Sequence, residues 1–311
     1  MILIVNLNLA VDHIVELDDS LRAGQVQRSR SERRQAGGKG VNVARVLQTL
    51  GEHSLLAGFL GGSAGELIAA GLRAEKIASR CTRAKGESRT CLILNDHSRR
   101  EQTVINAPGP AISDAEFRGF EADYLRLLAH AALVVITGSL PPNMPEDTYA
   151  QMTKAARERG KRLLLDCAGA PLKVALTARP FLVKINHTEA AELLAAPVKD
   201  FADAASATRK LRISGAESAM ITLGEQGALL DFAGVRYRFI APRVRAVNSV
   251  GSGDAALAGL AAGLRRGWTA QESGALAVAA GAANALHGAG GCSAEEIREL
   301  QPRVRCEVEE F

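Results

Sequence analysis

The chain has 311 residues, of which 47% are hydrophobic and 23% are charged, a composition typical of a folded globular protein and not of a disordered chain. Its formal net charge is only +4 and 4% of its residues are aromatic, so neither a basic nor a stacking surface for nucleic acid is indicated. The longest run of small apolar residues, 255–264, is shorter than the roughly 20 residues that span a bilayer. We therefore expect no nucleic-acid or membrane partner.

The five cysteines and the first residues of the chain bear on the cellular compartment of the protein. The cysteines are odd in number, scattered, and never spaced as C-x-x-C, which argues against a disulfide framework or a structural zinc site. The six histidines share no ligand spacing, so no metal is assigned to them. Because the opening run 1–6 has no basic start and is too short for a signal peptide, we interpret it as a strand and predict a cytoplasmic protein.

Apolar runs typical of buried strands alternate with helix-like patterns over most of the chain. Strands are predicted over 133–137, 162–166, 181–185 and 219–223, and helices over 147–159, 188–194 and 203–213. This alternation predicts an α/β fold in which a mostly parallel central sheet carries helices on both faces.

Two segments break this alternation. Segment 11–34 is polar and rich in arginine, and segment 89–106 alternates apolar and polar residues around the turn 95–98. Such patterns are typical of half-exposed antiparallel strands. We predict that the two segments are inserted in one domain over 1–311 and form a small antiparallel β lid at one end of it. An exposed lid edge would also allow a homodimer through the lid.

A first glycine cluster precedes a helix-like stretch. The sequence Gly37-Gly-Lys-Gly40 is followed by apolar residues at helical spacing that end near Gly51. Glycines in front of a helix allow a ligand to approach the backbone. Lys39 and Asn42 then lie at the mouth of this site as a point charge and a hydrogen-bond donor. A tight turn closed for packing explains the glycines equally well.

A second glycine cluster precedes a helix made almost wholly of alanine, glycine and leucine. The amides of Gly251, Ser252 and Gly253 lie at the start of this helix, where free N–H groups and the positive dipole end suit an oxyanion or a transferring phosphoryl group. Asp254 lies in the first turn, where we expect a low pKa and an ionised carboxylate that can accept a proton from a hydroxyl. The common alternative is a helix cap. The adjacent glycines favour the role of general base for Asp254 over that of a cap.

Two other nucleotide-binding motifs fit poorly. No Gly-x-x-x-x-Gly-Lys is followed by Ser or Thr, which argues against a P-loop. The stretch 251–256 matches a loose dinucleotide fingerprint, but it lies far from the first strand and lacks the acidic residue about 20 positions on. A dinucleotide oxidoreductase is therefore only a distant alternative.

The two clusters together resemble the signatures of a known family. Gly37-Gly-Lys-Gly-Val-Asn-Val-Ala44 resembles the N-terminal signature of the PfkB (ribokinase-like) carbohydrate kinases, and Asn248-Ser-Val-Gly-Ser-Gly-Asp254 resembles their C-terminal signature. The resemblance covers essentially the whole chain and is greatest to the 1-phosphofructokinase and tagatose-6-phosphate kinase branch. It implies a ribokinase-like fold and ATP-dependent phosphorylation of a sugar phosphate, with Mg²⁺.

The resemblance also implies roles for individual residues. Asp254 would be the base, and the amides of Gly251, Ser252 and Gly253 the anion hole. The residues implied around the sugar phosphate are Asp12, Gly38, Lys39, Asn42, Arg89, Asn106 and Ser139. The residues implied around ATP are Lys184, Asn186, Glu189, Thr222, Gly224, Gly227 and Asn284, with Asn186 and Glu189 holding Mg²⁺ through water. For Asn284 a polar contact within the fold is the alternative.

Arg89 is the residue that separates the substrate classes, because its guanidinium can hold a phosphate with two hydrogen bonds whereas a plain sugar offers only hydroxyls. The first reading is a kinase of a sugar phosphate, of the 1-phosphofructokinase, tagatose-6-phosphate kinase or 6-phosphofructokinase type. A kinase of an unphosphorylated sugar or nucleoside on the same fold stays open. A non-catalytic sugar-phosphate-binding protein is a third reading.

Overall fold

Strands and helices alternate along the chain in the computed structural model, which describes residues 1–99, 101–287 and 290–310. The strands are β1 (Ile2–Val5), β2 (Ala10–Leu17), β3 (Ser31–Gly37), β4 (Ser54–Leu60), β5 (Ser79–Arg83), β6 (Arg89–Asp96), β7 (Glu101–Asn106), β8 (Leu133–Thr137), β9 (Leu163–Asp166), β10 (Leu182–Asn186), β11 (Ala219–Thr222), β12 (Gly227–Phe232), β13 (Val235–Ile240) and β14 (Arg305–Glu310). The helices are α1 (Lys39–Thr49), α2 (Gly62–Ala74), α3 (Asp114–His130), α4 (Thr148–Glu158), α5 (Gly169–Leu176), α6 (His187–Leu194), α7 (Phe201–Ile213), α8 (Ser252–Arg266), α9 (Ala270–Ala285) and α10 (Ala294–Leu300).

The larger sheet confirms the predicted α/β fold. Within the described residues it has ten strands in the order β14-β13-β12-β11-β10-β9-β8-β1-β4-β5. Neighbouring strands run parallel from β11 to β5, and β12, β13 and β14 are added antiparallel. Buried apolar side chains form one cluster on each face of the sheet. Helices on both faces explain why β1 is apolar throughout and why β8 and β9 are apolar up to their last residues, Thr137 and Asp166.

The two segments that break the alternation form the lid sheet, with the strand order β3-β2-β6-β7. Each segment is an antiparallel hairpin, as predicted, and the hairpins join through a parallel pairing of β2 with β6. The parallel pairing has a topological cause: β2 follows β1 and β6 follows β5, and both β1 and β5 end at the same edge of the larger sheet. On the edge strand β7, Val104 and Ile105 are exposed. The homodimer through the lid stays a prediction.

The small-residue helix α8 is buried from Asp254 to Leu264, as its composition predicts. Glycine allows this close packing: a Cβ at Gly259 would lie 2.7 Å from the Leu276 carbonyl oxygen, and one at Gly263 would lie 2.6 Å from Ser273 Oγ. The first turn of α8 is therefore held rigidly beside the carboxyl ends of the parallel strands, where open α/β sheets bind their ligands. In the part of the chain that the structure describes, none of the helices has the length and apolar character needed to cross a membrane.

Candidate active site

Asp254 is buried at the start of α8 and is held by one amide. The Asn42 side chain on α1 donates its Nδ2–H to Asp254 Oδ2 at 2.9 Å. Burial raises the pKa of Asp254 to about 6, although the charges of Lys39 and Lys184 and the Asn42 hydrogen bond lower it. The expectation of a low pKa was wrong, because removal of the carboxylate from water outweighs these stabilising contacts. A carboxylate with a pKa of about 6 is a better base near neutral pH.

The turn before α8 is built around the predicted anion hole. Gly251 has a φ of 82°, which favours glycine, and Asn248 Oδ1 accepts from the Val250 amide at 2.8 Å. The Ser252 amide donates to the Ser249 carbonyl at 3.1 Å, so one of the three predicted amides is already bonded within the turn. A Cβ at Gly253 would lie 2.9 Å from Lys184 Nζ. The ammonium of Lys184 thus lies against the first turn of α8, where it adds positive charge.

Two lysines and two carboxylates form a charged cluster beside this turn. Asp166, which is completely buried at the end of β9, accepts from Lys39 Nζ at 3.0 Å and from Lys184 Nζ at 2.9 Å. Glu189 Oε1 lies 3.2 Å from the same Lys39 Nζ. Burial alone would raise the pKa of Asp166, but the charges of Lys184 and Lys39 lower it. Burial would lower the pKa of Lys39, yet the neighbouring carboxylates raise it above its usual value. Asp166 and Lys39 are therefore both ionised at neutral pH.

Asp166 was not among the sequence-predicted site residues. A signal was present in the sequence, because an ionisable residue directly ends the apolar run 163–165. Charged side chains at the carboxyl ends of parallel strands lie where such folds bind ligands. The contact partners of Asp166 on α1 and β10 could not be inferred from that signal.

The N-x-x-E pattern forms the start of α6. Asn186 Oδ1 accepts from the Glu189 amide at 2.9 Å, and Glu189 Oε2 accepts from the Asn186 amide at 3.0 Å, which is a capping box. Both side chains still present oxygen atoms, the ligand type that Mg²⁺ prefers. Among the described residues no three His, Cys, Asp or Glu side chains are grouped to hold a metal ion directly. The assignment of Asn186 and Glu189 to Mg²⁺ through water stays a prediction.

Three of the residues predicted around the sugar phosphate, Asp12, Arg89 and Asn106, lie on the lid sheet. Asp12 on β2 is next to Cys91 on β6, and Cys91 is paired with the exposed Asn106 on β7. Burial raises the pKa of Asp12 to about 6, and the charges of Arg45 and Arg89 oppose this rise. Side chains at paired positions share one face of a sheet. Asp12 and Asn106 therefore lie in one row across the lid sheet.

Two nitrogens of the Arg89 guanidinium already donate hydrogen bonds within the protein. Its Nε donates to the Asn8 carbonyl at 3.0 Å and its Nη1 donates to the Ala107 carbonyl at 3.3 Å. Asn8 is buried, and its Nδ2 donates to the Pro108 carbonyl at 2.9 Å and to Ser139 Oγ at 3.2 Å. Asn8 thus connects Arg89 with Ser139.

The buried Asn6 organises the first glycine cluster in the same way. Its Oδ1 accepts from the Gly40 amide at 3.0 Å. A Cβ at Gly38, whose φ is 102°, would lie 2.8 Å from that same Oδ1. No role was predicted for Asn6 or Asn8, although the pattern Asn6-Leu-Asn8 places two amide side chains directly after an apolar strand.

Of the other residues predicted around ATP, Thr222 and Gly224 lie at or just after a strand end, whereas Gly227 and Asn284 have structural roles. Thr222 is paired with Asn186 at the ends of β11 and β10. Gly224 begins the following turn with a φ of 59°, and nothing lies within 4 Å of a Cβ added there. Gly227 has a structural cause, because a Cβ there would lie 2.0 Å from the Phe239 carbonyl oxygen. Asn284 is fully buried.

The Asn284 amide is used within the protein. Its Nδ2 donates to the Val250 carbonyl at 2.9 Å and to Ser252 Oγ at 3.1 Å, and its Oδ1 accepts from the Gly290 amide at 2.6 Å. These bonds connect α9 to the turn before α8. They favour the structural alternative for Asn284 over a contact with adenine.

Comparison with known proteins decides the class of the chain. The pfkB family of carbohydrate kinases matches residues 1–296. The chain belongs to this family. It is 34% identical over 305 residues to a 1-phosphofructokinase of Bacillus subtilis (strain 168), covering 98% of this chain and 99% of that protein. It is 40% identical over 266 residues to a 1-phosphofructokinase of Xanthomonas campestris pv. campestris, covering 84% and 83%.

The structure agrees with this membership of the pfkB family. The phosphofructokinase-2 from Escherichia coli in complex with fructose-6-phosphate matches with a TM-score of 0.88 and 28% identity, covering 97% of this chain and 98% of that chain. The resemblance inferred from the two glycine clusters is confirmed. The chain is a phosphotransferase with an alcohol acceptor. A dinucleotide oxidoreductase and a non-catalytic binding protein are therefore no longer retained.

Proposed function

We propose that the protein transfers the terminal phosphoryl group of ATP to a hydroxyl of a sugar phosphate, with the activity of a 1-phosphofructokinase as the first candidate. The two relatives at 34% and 40% identity carry that name. The observation that carries the proposal is the buried Asp254, held by Asn42 at 2.9 Å at the start of a buried helix. Arg89, close enough to Asp12 to lower its pKa, supports a phosphorylated acceptor.

Asp254 acts as the base in this proposal. The acceptor hydroxyl loses its proton to Asp254, its oxygen forms a bond to the terminal phosphorus, and the bond from that phosphorus to ADP breaks. The amides of Gly251 and Gly253 and the ammonium of Lys184 stabilise the charge on the transferring group. A pKa of about 6 leaves Asp254 ionised and ready to accept the proton at neutral pH.

The charged cluster belongs to the phosphate side of the proposed site. Lys39 is about one-third exposed, so its ammonium can contact a bound phosphate while it stays paired with Asp166 and Glu189. Mg²⁺, when bound with the nucleotide, neutralises phosphate charge. Asn186 and Glu189 would hold it through water. Thr222, which ends β11, and Gly224, which follows it in the next turn, border the nucleotide.

A kinase of an unphosphorylated sugar is the second candidate. The observation in its favour is that two Arg89 nitrogens already donate to the carbonyls of Asn8 and Ala107, which reduces the donors left for a phosphate. A screen of ADP release over sugars and sugar phosphates separates the candidates, with the Asp254→Asn protein as the blank. Sole activity on an unphosphorylated sugar would contradict the first candidate.

Arg89→Ala is expected to raise KM for the preferred sugar phosphate by about 10- to 100-fold, because a hydrogen bond to a charged group contributes about 1.5–3 kcal/mol. Initial-rate kinetics at saturating ATP measure this change. Arg80→Ala is the matched control, because Arg80 is an exposed arginine paired with Asp123 at 3.0 Å. An unchanged KM in Arg89→Ala would contradict a phosphate contact at this residue.

Gly37→Ala is expected to weaken binding of the sugar while the fold is kept. A Cβ at Gly37 would lie 2.1 Å from Asp12 Cγ, so the Asp12 carboxyl must turn out of its position. Loss of that contact raises KM for the sugar by about tenfold or more and leaves KM for ATP nearly unchanged. Gly119→Ala is the control, because Gly119 on α3 has no left-handed φ and a Cβ there would meet only Thr82 Cγ2, at 3.9 Å. Equal KM values for Gly37→Ala and the wild type would show that Asp12 does not bind the sugar.

A further inference from the structure

Asn42 lies between two partners that fix the orientation of its amide. Its Nδ2 donates to Asp254 Oδ2 at 2.9 Å, and its Oδ1 accepts from Arg45 Nη1 at 3.3 Å. Arginine is only a donor, and an ionised carboxylate is only an acceptor. A reversed Asn42 amide would put its NH₂ against the guanidinium and its oxygen against the carboxylate. Both hydrogen bonds are therefore made in only one orientation of the amide.

Arg45 is itself held firmly. Its Nε and Nη2 donate to the two oxygens of Glu75 at 2.7 and 2.8 Å, and Nη2 also donates to the Ala36 carbonyl at 2.7 Å. A planar guanidinium held by such a two-point contact has little freedom to move. Asn42 and Arg45 are three residues apart on α1 and therefore share one helix face. Glu75 directly follows α2, so its position is set by a second helix.

We propose that Arg45, anchored by Glu75, is a positioning residue for phosphoryl transfer that orients the Asn42 amide toward Asp254. This inference rests on the proposed function, in which Asp254 is the base. Arg45 acts through Asn42. Its guanidinium also lies near Asp12, and its charge opposes the rise in the pKa of Asp12. The variants must therefore separate the effect of this charge on Asp12 from the effect of the planar guanidinium on Asn42.

Arg45→Lys keeps the charge near Asp12 but removes the planar fork that contacts Glu75, Ala36 and Asn42 together. We expect kcat to fall about tenfold, the size of a typical coupling within one hydrogen-bond network, while KM for the sugar changes little. Arg45→Gln removes the charge as well and is expected to raise KM in addition. A change in KM alone for Arg45→Lys would overturn the proposal.

The pH profile separates positioning from a purely structural role. The Asn42 hydrogen bond stabilises ionised Asp254, so its loss raises the pKa of Asp254 and moves the acid limb of kcat to higher pH. We expect a shift of about half a unit to one unit in Arg45→Lys. The other charges that act on Asp254 are Lys39 on α1, Asp166 on β9 and Lys184 on β10, and all three are retained in this variant. An unshifted limb would overturn the proposal.

Arg266→Lys is the matched control. Arg266 also donates from Nε to a carboxylate, Glu52, at 2.7 Å and from Nη2 to a main-chain carbonyl, Leu50, at 2.6 Å. It lies in the last turn of α8, whereas Asp254 lies in the first turn. The control is expected to lower the free energy of unfolding while kcat and its pH profile stay at wild-type values. A similar fall of kcat in both variants would indicate a general loss of stability and overturn the proposal.

A double-mutant cycle with Asn42→Ala completes the test. If Arg45 acts through Asn42, Arg45→Lys lowers kcat by less than about twofold in the Asn42→Ala background. Equal losses in both backgrounds would overturn the positioning role. Asp254→Asn, measured alongside, distinguishes the two proposals: an active Asp254→Asn protein contradicts the base, whereas an inactive one with additive Arg45 and Asn42 effects contradicts only the positioning role.

Discussion

Asp254→Asn is expected to lower kcat by about 10²- to 10⁴-fold, the usual contribution of a well-placed general base. The amide has nearly the size and shape of the carboxylate, so the first turn of α8 and the binding of ATP are expected to persist. Kinetics of ADP release measure the loss, and calorimetry measures nucleotide binding. Asp114→Asn is the matched control, because Asp114 is also a first-turn aspartate, on α3, but is exposed. Near-normal turnover in Asp254→Asn would refute the base.

The pH dependence of the wild type checks the same assignment. The pKa values of Asp254 and Asp12 are both raised to about 6, chiefly by burial. Each carboxylate acts in its ionised form, so kcat/KM is expected to fall as the pH drops through about 6. The limiting slope is two log units per pH unit, because two protons are bound. When the sugar is bound it covers Asp12, so the pH dependence of kcat follows the ionisation of Asp254 alone. The limiting slope of log kcat is then one log unit per pH unit. A kcat that is flat down to pH 5 would contradict the raised pKa.

Of the variants described, Asp166→Ala is expected to lower the free energy of unfolding most. The variant leaves the Lys184 ammonium, whose side chain is 2% exposed, without its carboxylate, and an uncompensated buried charge costs about 3–5 kcal/mol. Urea unfolding measures the free energy and its slope. Lys184→Met in the same chain removes the uncompensated charge, so the double variant is expected to be more stable than Asp166→Ala alone.

A matched control exists in the larger sheet. Asp231 is nearly as buried as Asp166, but its partner Arg212, at 2.7 Å, is one-third exposed and can turn toward water. Asp231→Ala is therefore expected to lower the free energy of unfolding by less than Asp166→Ala. A double Asp166→Ala, Lys184→Met variant no more stable than Asp166→Ala would show that the unpaired ammonium is not the cause.

Much of the fold and the family could be predicted from local pattern. The strands near 133–137 and 219–223 and the helices that start after Gly38 and Gly251 follow from apolar spacing and from glycine at the turn. Such features depend on neighbours in the sequence, and each is decided within one turn of a helix or one strand. The two glycine clusters were therefore enough to indicate the kinase family before any contact was known.

The chemistry of the candidate site depends on residues far apart in the sequence. Asn42 and Asp254 are 212 positions apart, and Lys39 and Asp166 are 127 positions apart. The raised pKa of Asp254 and the buried charge of Asp166 come from dehydration, which is a property of packing around a residue and not of its neighbours in the chain. Residue types and helix starts are local, so the amino-acid order alone determined them. Burial and charge pairing arise only when distant segments pack together, and for that reason the folded protein decided the pKa values and the partners of Asp166 and Arg45.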